Sequence, residues 1–264
     1  MVEIVFEQAS FFKKIIDSLK GLVEDISFKC TSDGMDLQAM DISHVSLISI
    51  SLPADIFNTY NCSEEMNLAF NVDVLNKVLK SASTDDYLKI STEKPNEDIT
   101  IQLSTQSEDK NTRFNLKPVD INGDAVSIPE HIYKAKLSLS SNAFNQLIRS
   151  LSEVNDSVAV RCTEGSISFS VSDILLNATT TFNAGVTNEK AEEEIEVDVT
   201  EGCKVAYALR YLKAISAASA LSTRVNLSFS PHFPLLVEYS LQEGGYVRFY
   251  LAPKVDEEAS EDEV

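Results

Sequence analysis

The chain lacks the cysteine spacing of a metal or redox site. Its two closest cysteines, Cys30 and Cys62, are far apart in sequence, so there is no CxxC pair. Zinc-binding and thioredoxin-like motifs need two cysteines within a few residues of each other. A disulfide framework is typical of much smaller secreted domains. We therefore expect free thiols at Cys30, Cys62, Cys162 and Cys203.

The common catalytic and nucleotide-binding motifs are absent as well. No GxxxxGK(S/T), GxGxxG, HExxH, GxSxG or DxDxDG sequence occurs in the chain. These patterns carry the usual phosphate, zinc, acyl-transfer and calcium chemistry. The three histidines, His44, His131 and His232, are far apart in sequence. We predict a protein that is not an enzyme, with no catalytic residue, no metal site and no cofactor.

Long apolar runs and a targeting signature are also missing. The N-terminal sequence, MVEIVFEQAS, has neither a basic start nor a continuous apolar stretch. The charge-free run Ile42–Ala54 is short, and several serines interrupt it. A membrane helix needs about 20 apolar residues, so this run is more typical of a strand. We expect a soluble intracellular protein without a signal peptide or a membrane span.

Positive charge is scarce. The 264 residues include 22 Lys and Arg against 41 Asp and Glu, which gives a net charge of −19. Hydrophobic residues make up 44% and charged residues 24%, as in soluble globular chains. The length predicts one large domain or two modest ones. If this charge were spread evenly, it would repel nucleic acids and anionic membranes.

What the sequence does contain is a fourfold repeat. The segments FFKKIIDSLK, VLNKVLKSA, FNQLIRSL and YALRYLKAIS have the apolar spacing of amphipathic helices. Their apolar stripes begin at nearly regular intervals along the chain, namely at Phe12, Leu75, Phe144 and Ala208. A short alternating strand precedes each helix, and two more follow it around a turn. Serines near the first and third helices, at Ser10 and Ser141, predict N-caps.

The repeats predict an α+β fold with two similar domains. Each domain has two strand–helix–strands repeats, with the helices on one face of antiparallel sheets. The segment PVDINGDAVSIPEHIYK, with Pro118, Gly123 and Pro129, is typical of a connector. The acidic end VDEEASEDEV predicts a disordered tail. The predicted parts are an N-terminal domain at 1–117, a connecting loop at 118–134, a C-terminal domain at 135–254 and the tail at 255–264.

The scarce positive charge is concentrated on the predicted helices. The four segments hold eight bases and one acid, so they carry +7, and the rest of a chain with a net charge of −19 carries −26. The bases are Lys13, Lys14, Lys20, Lys77, Lys80, Arg149, Arg210 and Lys213. Ordinary solvated helices mix both signs, because i,i+4 ion pairs are mildly stabilising. Isolated solvated lysines are the alternative, but the segregation favours a surface that binds phosphates.

The expected ligand of this surface is a nucleic-acid duplex, bound without sequence preference. Aromatic residues are missing from the polar helix faces, so a stacking platform for single strands is not predicted. Helix-turn-helix, zinc-finger and RNP signatures are absent too. Basic contacts to phosphates position a protein on a duplex but do not specify a base sequence.

Several stretches resemble the proliferating cell nuclear antigen family of eukaryotic DNA sliding clamps. They are GMDLQAMDISHVSLISISLPADIF (Gly34–Phe57), FKKIIDSLK, ALRYLKAISAASALS, and PLLVEYSL followed by YLAPK. The resemblance runs from residue 1 to about Lys254. It implies a DNA-clamp fold and a ring-forming homotrimer that encircles double-stranded DNA. It also implies a processivity factor for the replicative DNA polymerase and a docking platform for replication and repair proteins.

The resemblance further implies partners and a location. The partners are DNA polymerase delta, an ATP-driven clamp loader (replication factor C), flap endonuclease, DNA ligase and other proteins with a PIP-box peptide motif, and no membrane is involved. The location is the nucleus. The processes are DNA replication with leading strand elongation, DNA repair, mismatch repair and translesion synthesis.

The resemblance also assigns candidate residues by motif. The family's DNA-binding stretch matches Asn61–Lys80, which adds Asn61 to the basic residues above. The partner-peptide pocket matches Met40, His44, Val45, Leu47, Val126, Ile128, Pro129, Pro234, Tyr250, Ala252, Pro253 and Lys254. The trimer interface matches Lys110, Phe114 and Leu116 on one edge, which pair with Leu175, Asn177, Thr179 and Phe182 on the other.

Two positions depart from the family's pattern. Glu164 replaces a loop lysine that many relatives modify in damage tolerance, and Ala217 replaces a common helical lysine. Two alternatives to the homotrimeric clamp also stay open. One is a subunit of a heterotrimeric checkpoint clamp, and the other is an acidic peptide-binding scaffold that does not bind DNA.

Overall fold

The computed structural model describes residues 1–95, 97–107, 109–121, 128–185 and 194–254. The chain forms two compact units. The first comprises Met1–Ile128 and Ser240–Arg248, and the second comprises Pro129–Tyr239 and the chain from Phe249 onward. The boundaries proposed above for the domains and the connecting loop stay predictions, and the predicted tail lies outside the described residues. None of the helices in the described ranges has the length and hydropathy needed to cross a membrane.

The first unit contains two helices between short strands. Its elements are β1 (Val2–Phe6), α1 (Ala9–Leu19), β2 (Asp25–Cys30), β3 (Gly34–Met40), β4 (Ser46–Pro53), β5 (Thr59–Cys62), β6 (Met66–Asn71), α2 (Val72–Leu79), β7 (Tyr87–Thr92), β8 (Ile99–Ser104) and β9 (Asn111–Leu116). In β1, β7 and β8 every second side chain is buried, because successive side chains of a strand point to opposite faces and one face covers the core.

The second unit repeats this order. Its elements are β10 (Ala135–Ser140), α3 (Ser141–Ser152), β11 (Ser157–Thr163), β12 (Ser166–Ser172), β13 (Asn177–Asn183), β14 (Glu196–Val199), β15 (Cys203–Ala208), α4 (Leu209–Ser216), β16 (Arg224–Phe229) and β17 (Leu235–Ser240). The last described strand, β18 (Tyr246–Leu251), has residues in both units. The four predicted strand pairs around turns are therefore all present.

Each unit consists of two repeats that exchange strands. In the first unit, the strand before α1 pairs with the strand after α2, and the strand before α2 pairs with the strand after α1. In the second unit, β10 pairs with β16 and β15 with β11 in the same antiparallel way. The helices begin at similar intervals along the chain, at Ala9, Val72, Ser141 and Leu209. The predicted α+β fold with four strand–helix–strands repeats is confirmed.

Antiparallel sheets cover the helices of both units. The first unit has a sheet in the order β5-β1-β7-β8-β9 and a run of neighbouring strands β6-β2-β3-β4. The second unit has a sheet in the order β13-β12-β11-β15 and a run β14-β10-β16-β17. Helix α1 packs beside α2, and α3 packs beside α4. Each unit is thus a layer of two helices against strands on the buried side.

The first N–H of every helix is bonded to the other repeat of its unit. Ala9 donates to the carbonyl of Asp86 at 2.7 Å, and Val72 donates to the carbonyl of Glu24 at 2.8 Å. In the second unit, Ser141 donates to Thr223 at 2.9 Å and Leu209 to Asp156 at 2.8 Å. Each acceptor lies just after the partner helix. One of the free N-terminal donors of each helix is therefore satisfied by the other repeat of the unit.

The apolar stripes of the predicted helices are buried, with one correction in the fourth repeat. Phe12, Leu75 and Phe144 are 0% exposed. Ala208 belongs to strand β15, and the residue equivalent to these three is Leu212, which is 1% exposed. The strand runs directly into α4 without a turn, so the two apolar patterns merge in the sequence.

The predicted N-caps are confirmed for the third helix and wrong for the first. The Ser140 hydroxyl, next to Ser141, accepts a hydrogen bond from the Ala143 N–H at 3.2 Å. Ser10 lies inside α1, and the N-cap residue is Gln8, whose side chain does not cap the helix. In α1 the N–H groups of Ala9 and Phe11 donate to the backbone carbonyls of Asp86 and Gln8 instead.

Two buried tyrosines give a matched test of hydrogen bonding in the core. Tyr207 and Tyr239 are both 0% exposed, and burial raises the pKa of each hydroxyl. The Tyr239 hydroxyl donates to the Ile215 carbonyl at 3.1 Å, whereas the Tyr207 hydroxyl has no hydrogen-bond partner among the described residues. The Tyr239 hydroxyl therefore forms a hydrogen bond in the core, whereas the Tyr207 hydroxyl is buried without one in the described chain.

We predict opposite effects of Tyr→Phe at these positions. Tyr239→Phe removes one of the two hydrogen bonds to the Ile215 carbonyl, which keeps the Ala217 N–H, and should lower the free energy of unfolding by about 1 kcal/mol. Tyr207→Phe removes a buried hydroxyl that makes no bond and should leave that free energy unchanged or raise it. Urea unfolding of both variants measures the difference. Equal destabilisation by the two substitutions would contradict this account of the core.

Candidate nucleic-acid and peptide interfaces

The eight basic residues singled out in the sequence lie on the four helices or at their ends. Six are within helices, and Lys20 and Lys80 are the C-cap residues of α1 and α2. Lys13 is half-buried and the other seven are exposed. Because a helix has 3.6 residues per turn, these side chains lie away from the buried stripe that contacts the sheets.

The helices carry less positive charge than the sequence segments suggested. Helix α2 begins at Val72 and so includes Asp73, and the C-cap of α3 is Glu153. With their C-caps, the four helices hold eight bases and three acids, the third being Asp17, and 8 − 3 gives +5 rather than +7. The prediction was too high because two helix boundaries were misplaced, but the excess of bases remains.

These helical bases make no ion pair within the described residues. Some lysines on the strands do: Lys89 pairs with Glu3 at 2.6 Å and Lys29 with Glu65 at 2.8 Å. Arg210 contacts an aromatic ring instead, with its guanidinium carbon 4.8 Å from the centre of the Tyr211 ring. In the described chain, the helical bases are therefore not in direct contact with a carboxylate.

Asn61 is in a different environment from the helical bases. It is an exposed residue of strand β5, opposite Glu3 of β1. Just beyond the end of β5, Ser63 accepts a hydrogen bond from the N-terminal amine, which also lies 3.9 Å from Glu64. The charged groups nearest to Asn61 in sequence and register are thus mostly acidic, and its role in binding DNA stays a prediction.

The residues matched to the trimer interface lie at two sheet edges. Strand β9 pairs only with β8, and β13 pairs only with β12, among the described residues. Phe114 and Phe182 are half-buried, Leu116 is buried, and Lys110, Leu175, Asn177 and Thr179 are exposed. Each edge therefore presents free backbone N–H and C=O groups, which can pair with another strand.

A groove of about 1080 Å³ lies on the first unit. Three of the residues matched to the peptide pocket line it, namely Met40, His44 and Leu47, and Val45 lies between the last two without lining it. Its other lining residues are Asp25, Ile26, Ser27, Lys29, Asp36, Leu37, Gln38, Ala39, Ser49, Ile50, Glu65, Asn67, Ile121 and Tyr246. It has an apolar part and a polar part, as ligand grooves do.

The remaining pocket residues are distributed over the chain. Ile128 is half-buried in the first unit, and Val126 lies outside the described residues. Pro129, Pro234, Tyr250, Ala252, Pro253 and Lys254 belong to the second unit. There, the Pro234 carbonyl accepts a hydrogen bond from Tyr133 at 3.2 Å, and the Lys254 N–H donates to Ala206 of β15 at 2.8 Å.

Sequence reasoning missed most of the polar part of the groove. Lys29, Asp36 and Asn67 lie side by side on three strands, because Lys29 is opposite Asp36 on one side and Asn67 on the other. Ile121 and Tyr246 were also missed. The alternation of exposed positions in β2, β3 and β6 marks the outward face of the strands, but only the register brings these residues together.

Burial makes three of the four thiols unreactive, those of Cys30, Cys162 and Cys203. Cys30, Cys62, Cys162 and Cys203 are free. Burial raises the pKa of Cys30 to about 12 and raises the pKa of Cys162 and Cys203 as well. A thiol with a raised pKa is a poor nucleophile and a poor metal ligand at neutral pH. In the described part of the chain, no three His, Cys, Asp or Glu side chains are grouped so that they could hold a metal ion.

The two units, with paired helices against antiparallel sheets, have the α+β fold of a DNA clamp. Residues 1–126 match the family model "Proliferating cell nuclear antigen, N-terminal domain", and residues 127–254 match "Proliferating cell nuclear antigen, C-terminal domain". The chain is 36% identical over 258 residues to the proliferating cell nuclear antigen of Chaetomium thermophilum, covering 98% of this chain and 100% of that protein. The chain therefore belongs to the proliferating cell nuclear antigen family.

Membership of this family supports a sliding-clamp function, with a part in DNA replication as a processivity factor. The family is one of non-catalytic scaffolds that bind DNA and replication proteins.

Proposed function

We propose that the chain is the subunit of a homotrimeric ring that encircles double-stranded DNA and tethers the replicative polymerase and repair proteins to it. The observation that carries the proposal is the set of helical bases that have no ion-pair partner within the described residues. In a chain with a net charge of −19, such a set is best explained by a polyanionic ligand on the helix side.

The dimensions of a trimer suit this ligand. Three subunits with four helices each give twelve helices, which at about 10 Å spacing form a circle roughly 120 Å around and roughly 38 Å across. Subtracting one helix diameter of about 10 Å leaves a channel about 28 Å wide. A duplex fits such a channel with room for water, so the contacts to phosphate would be long-range and screened by salt.

Closure of the ring, rather than affinity, would then keep the protein on DNA. Opening such a ring requires a clamp loader, for which we propose replication factor C. We propose that peptide motifs of DNA polymerase delta, flap endonuclease, DNA ligase and other PIP-box proteins bind the groove of the first unit. The ring would act in the nucleus, in leading strand elongation, mismatch repair and translesion synthesis.

A trimer closed by pairing of β9 with β13 predicts that Phe114→Ala weakens assembly. The loss of an aromatic anchor at an interface should cost about 2 kcal/mol per contact and shift the native mass from three times 29.1 kDa toward 29.1 kDa. Native mass spectrometry at micromolar concentration measures this shift. The control is Tyr87→Ala, a half-buried aromatic on the inner strand β7 of the same sheet. A Phe114→Ala protein that stays trimeric contradicts this interface.

If DNA binds in a channel lined by the helices, the effect of reversing a basic residue should depend on whether it lies on a helix or on a strand. Reversal of Lys77 and Lys80 to Glu should reduce loading onto a nicked circle about tenfold and weaken polymerase stimulation, because phosphate contacts are replaced by repulsion. Reversal of Arg161 and Lys204, which are exposed on strands β11 and β15, makes the same change in net charge and should have little effect.

Retention on DNA provides the companion measurement. The loaded wild-type ring should stay on a closed circle and leave after the circle is cut, because it slides off the ends. Equal loss in the two charge-reversed variants, equal retention on closed and linear DNA, or a sequence-specific footprint would contradict the proposed channel. A wild-type monomer by native mass would instead favour the peptide-binding scaffold.

A further inference from the structure

The turn between β3 and β4 is built around one buried carboxylate. Asp41 is 6% exposed, and its side chain accepts hydrogen bonds from three backbone N–H groups. These come from Ser43 at 3.0 Å, Val45 at 2.7 Å and Ser46 at 2.6 Å. Charge-assisted bonds of this kind are stronger than bonds between neutral groups. A single side chain therefore holds most of the turn that follows it.

The backbone closes the same turn. The Asp41 N–H donates to the Ser46 carbonyl and the His44 N–H donates to the Asp41 carbonyl, both at 2.9 Å. His44 has a φ of 56°, in the left-handed region that residues other than glycine seldom adopt. Because the carboxylate bonds fix the residues on both sides of His44, they stabilise this conformation. The turn is thus preorganised without a ligand.

This turn forms one rim of the groove on the first unit. Met40 before it, His44 within it and Leu47 after it all line the groove. Ile42, between Asp41 and Ser43 in the same turn, is 77% exposed and does not itself line the groove. The contacts of Asp41 therefore determine where both His44 and Ile42 project.

The charges of the groove indicate the kind of molecule that fills it. Its lining includes three carboxylates, on Asp25, Asp36 and Glu65, against one ammonium group, on Lys29. The lysine already pairs with Glu65 at 2.8 Å. The excess negative charge lies beside the apolar residues Met40 and Leu47 of the same groove. A basic peptide segment with apolar side chains complements this lining.

We propose that Asp41 is the positioning residue of the peptide groove, and that Ile42 adds an apolar contact to a basic partner peptide. The inference rests on the proposed peptide-binding function of the groove. A rim that is already ordered saves the cost of ordering it when the peptide binds. Asp41 itself is buried and acts on the groove through the backbone of the turn that carries His44 and Ile42.

Graded substitutions at Asp41 test the positioning role. In Asp41→Asn, the amide oxygen can still accept from Val45 and Ser46, but the amide nitrogen cannot accept from Ser43. Asp41→Ala removes all three bonds. The affinity for a synthetic peptide with a Phe-Phe pair and a lysine-rich flank, measured by calorimetry, should fall about tenfold in Asp41→Ala and less in Asp41→Asn.

The control for charge is Asp36→Asn, which removes one carboxylate from the lining of the same groove but bonds no part of the turn in the described structure. Its affinity should fall less than that of Asp41→Ala and show a shallower dependence on peptide charge, because one of the attracting carboxylates is gone. Ile42→Ser should lower affinity about threefold for a peptide with an apolar residue beside the anchor, and leave a peptide with serine there unaffected.

Hydrogen exchange of the free protein distinguishes a disordered turn from a damaged groove. In the free protein, the amides of Ser43, Val45 and Ser46 should exchange faster in Asp41→Ala than in wild type, with the native mass unchanged and the melting temperature lowered by about a few degrees. Equal affinity in Asp41→Ala and wild type would overturn the positioning role while leaving the groove intact. Failure of the wild-type protein to bind the peptide would contradict the groove itself and, with it, the role of its rim.

Discussion

The start of every helix depends on a backbone hydrogen bond from the other repeat of its unit. Ala9 and Val72 donate to carbonyls that follow the partner helix, and Ser141 and Leu209 do the same in the second unit. The strands that flank the helices are exchanged in the same reciprocal way. The first donor of each helix is therefore bonded by the other repeat, and the two repeats of a unit stabilise each other. This constraint fixes both helices side by side against the strands.

The separation of charge follows from that arrangement. Since the strands occupy the buried side of each helix pair, the polar faces of the helices are the part of a unit that its own strands do not reach. Bases collect there without carboxylate partners in the described chain, whereas Lys29 and Lys89 on the strands are paired with glutamates. The acidic excess of the sequence therefore does not cancel the positive charge of the helices.

The sequence alone predicted the features that depend only on the spacing of neighbouring residues. Alternation predicted the strand pairs, and the 3.6-residue period predicted the stripes of Phe12, Leu75 and Phe144. It failed where the partner is remote: the bond from the Ala9 N–H to the Asp86 carbonyl joins residues that are distant in sequence. The polar part of the groove was missed for the same reason, because it is assembled by register across three strands. The merging of β15 with α4 hid the start of the fourth helix.

Two further features of the chain would promote uncontrolled association of an isolated molecule. Strands β9 and β13 have unpaired edges in the described structure, and Ile174 and Leu175, just before β13, are 95% and 94% exposed. Free edges next to apolar side chains favour uncontrolled association. A head-to-tail contact that pairs β9 of one subunit with β13 of the next would use both edges, and it ends in a ring if the rotation closes. The same contact would cover the apolar residues, so the proposed trimer accounts for exposed strands and exposed side chains together.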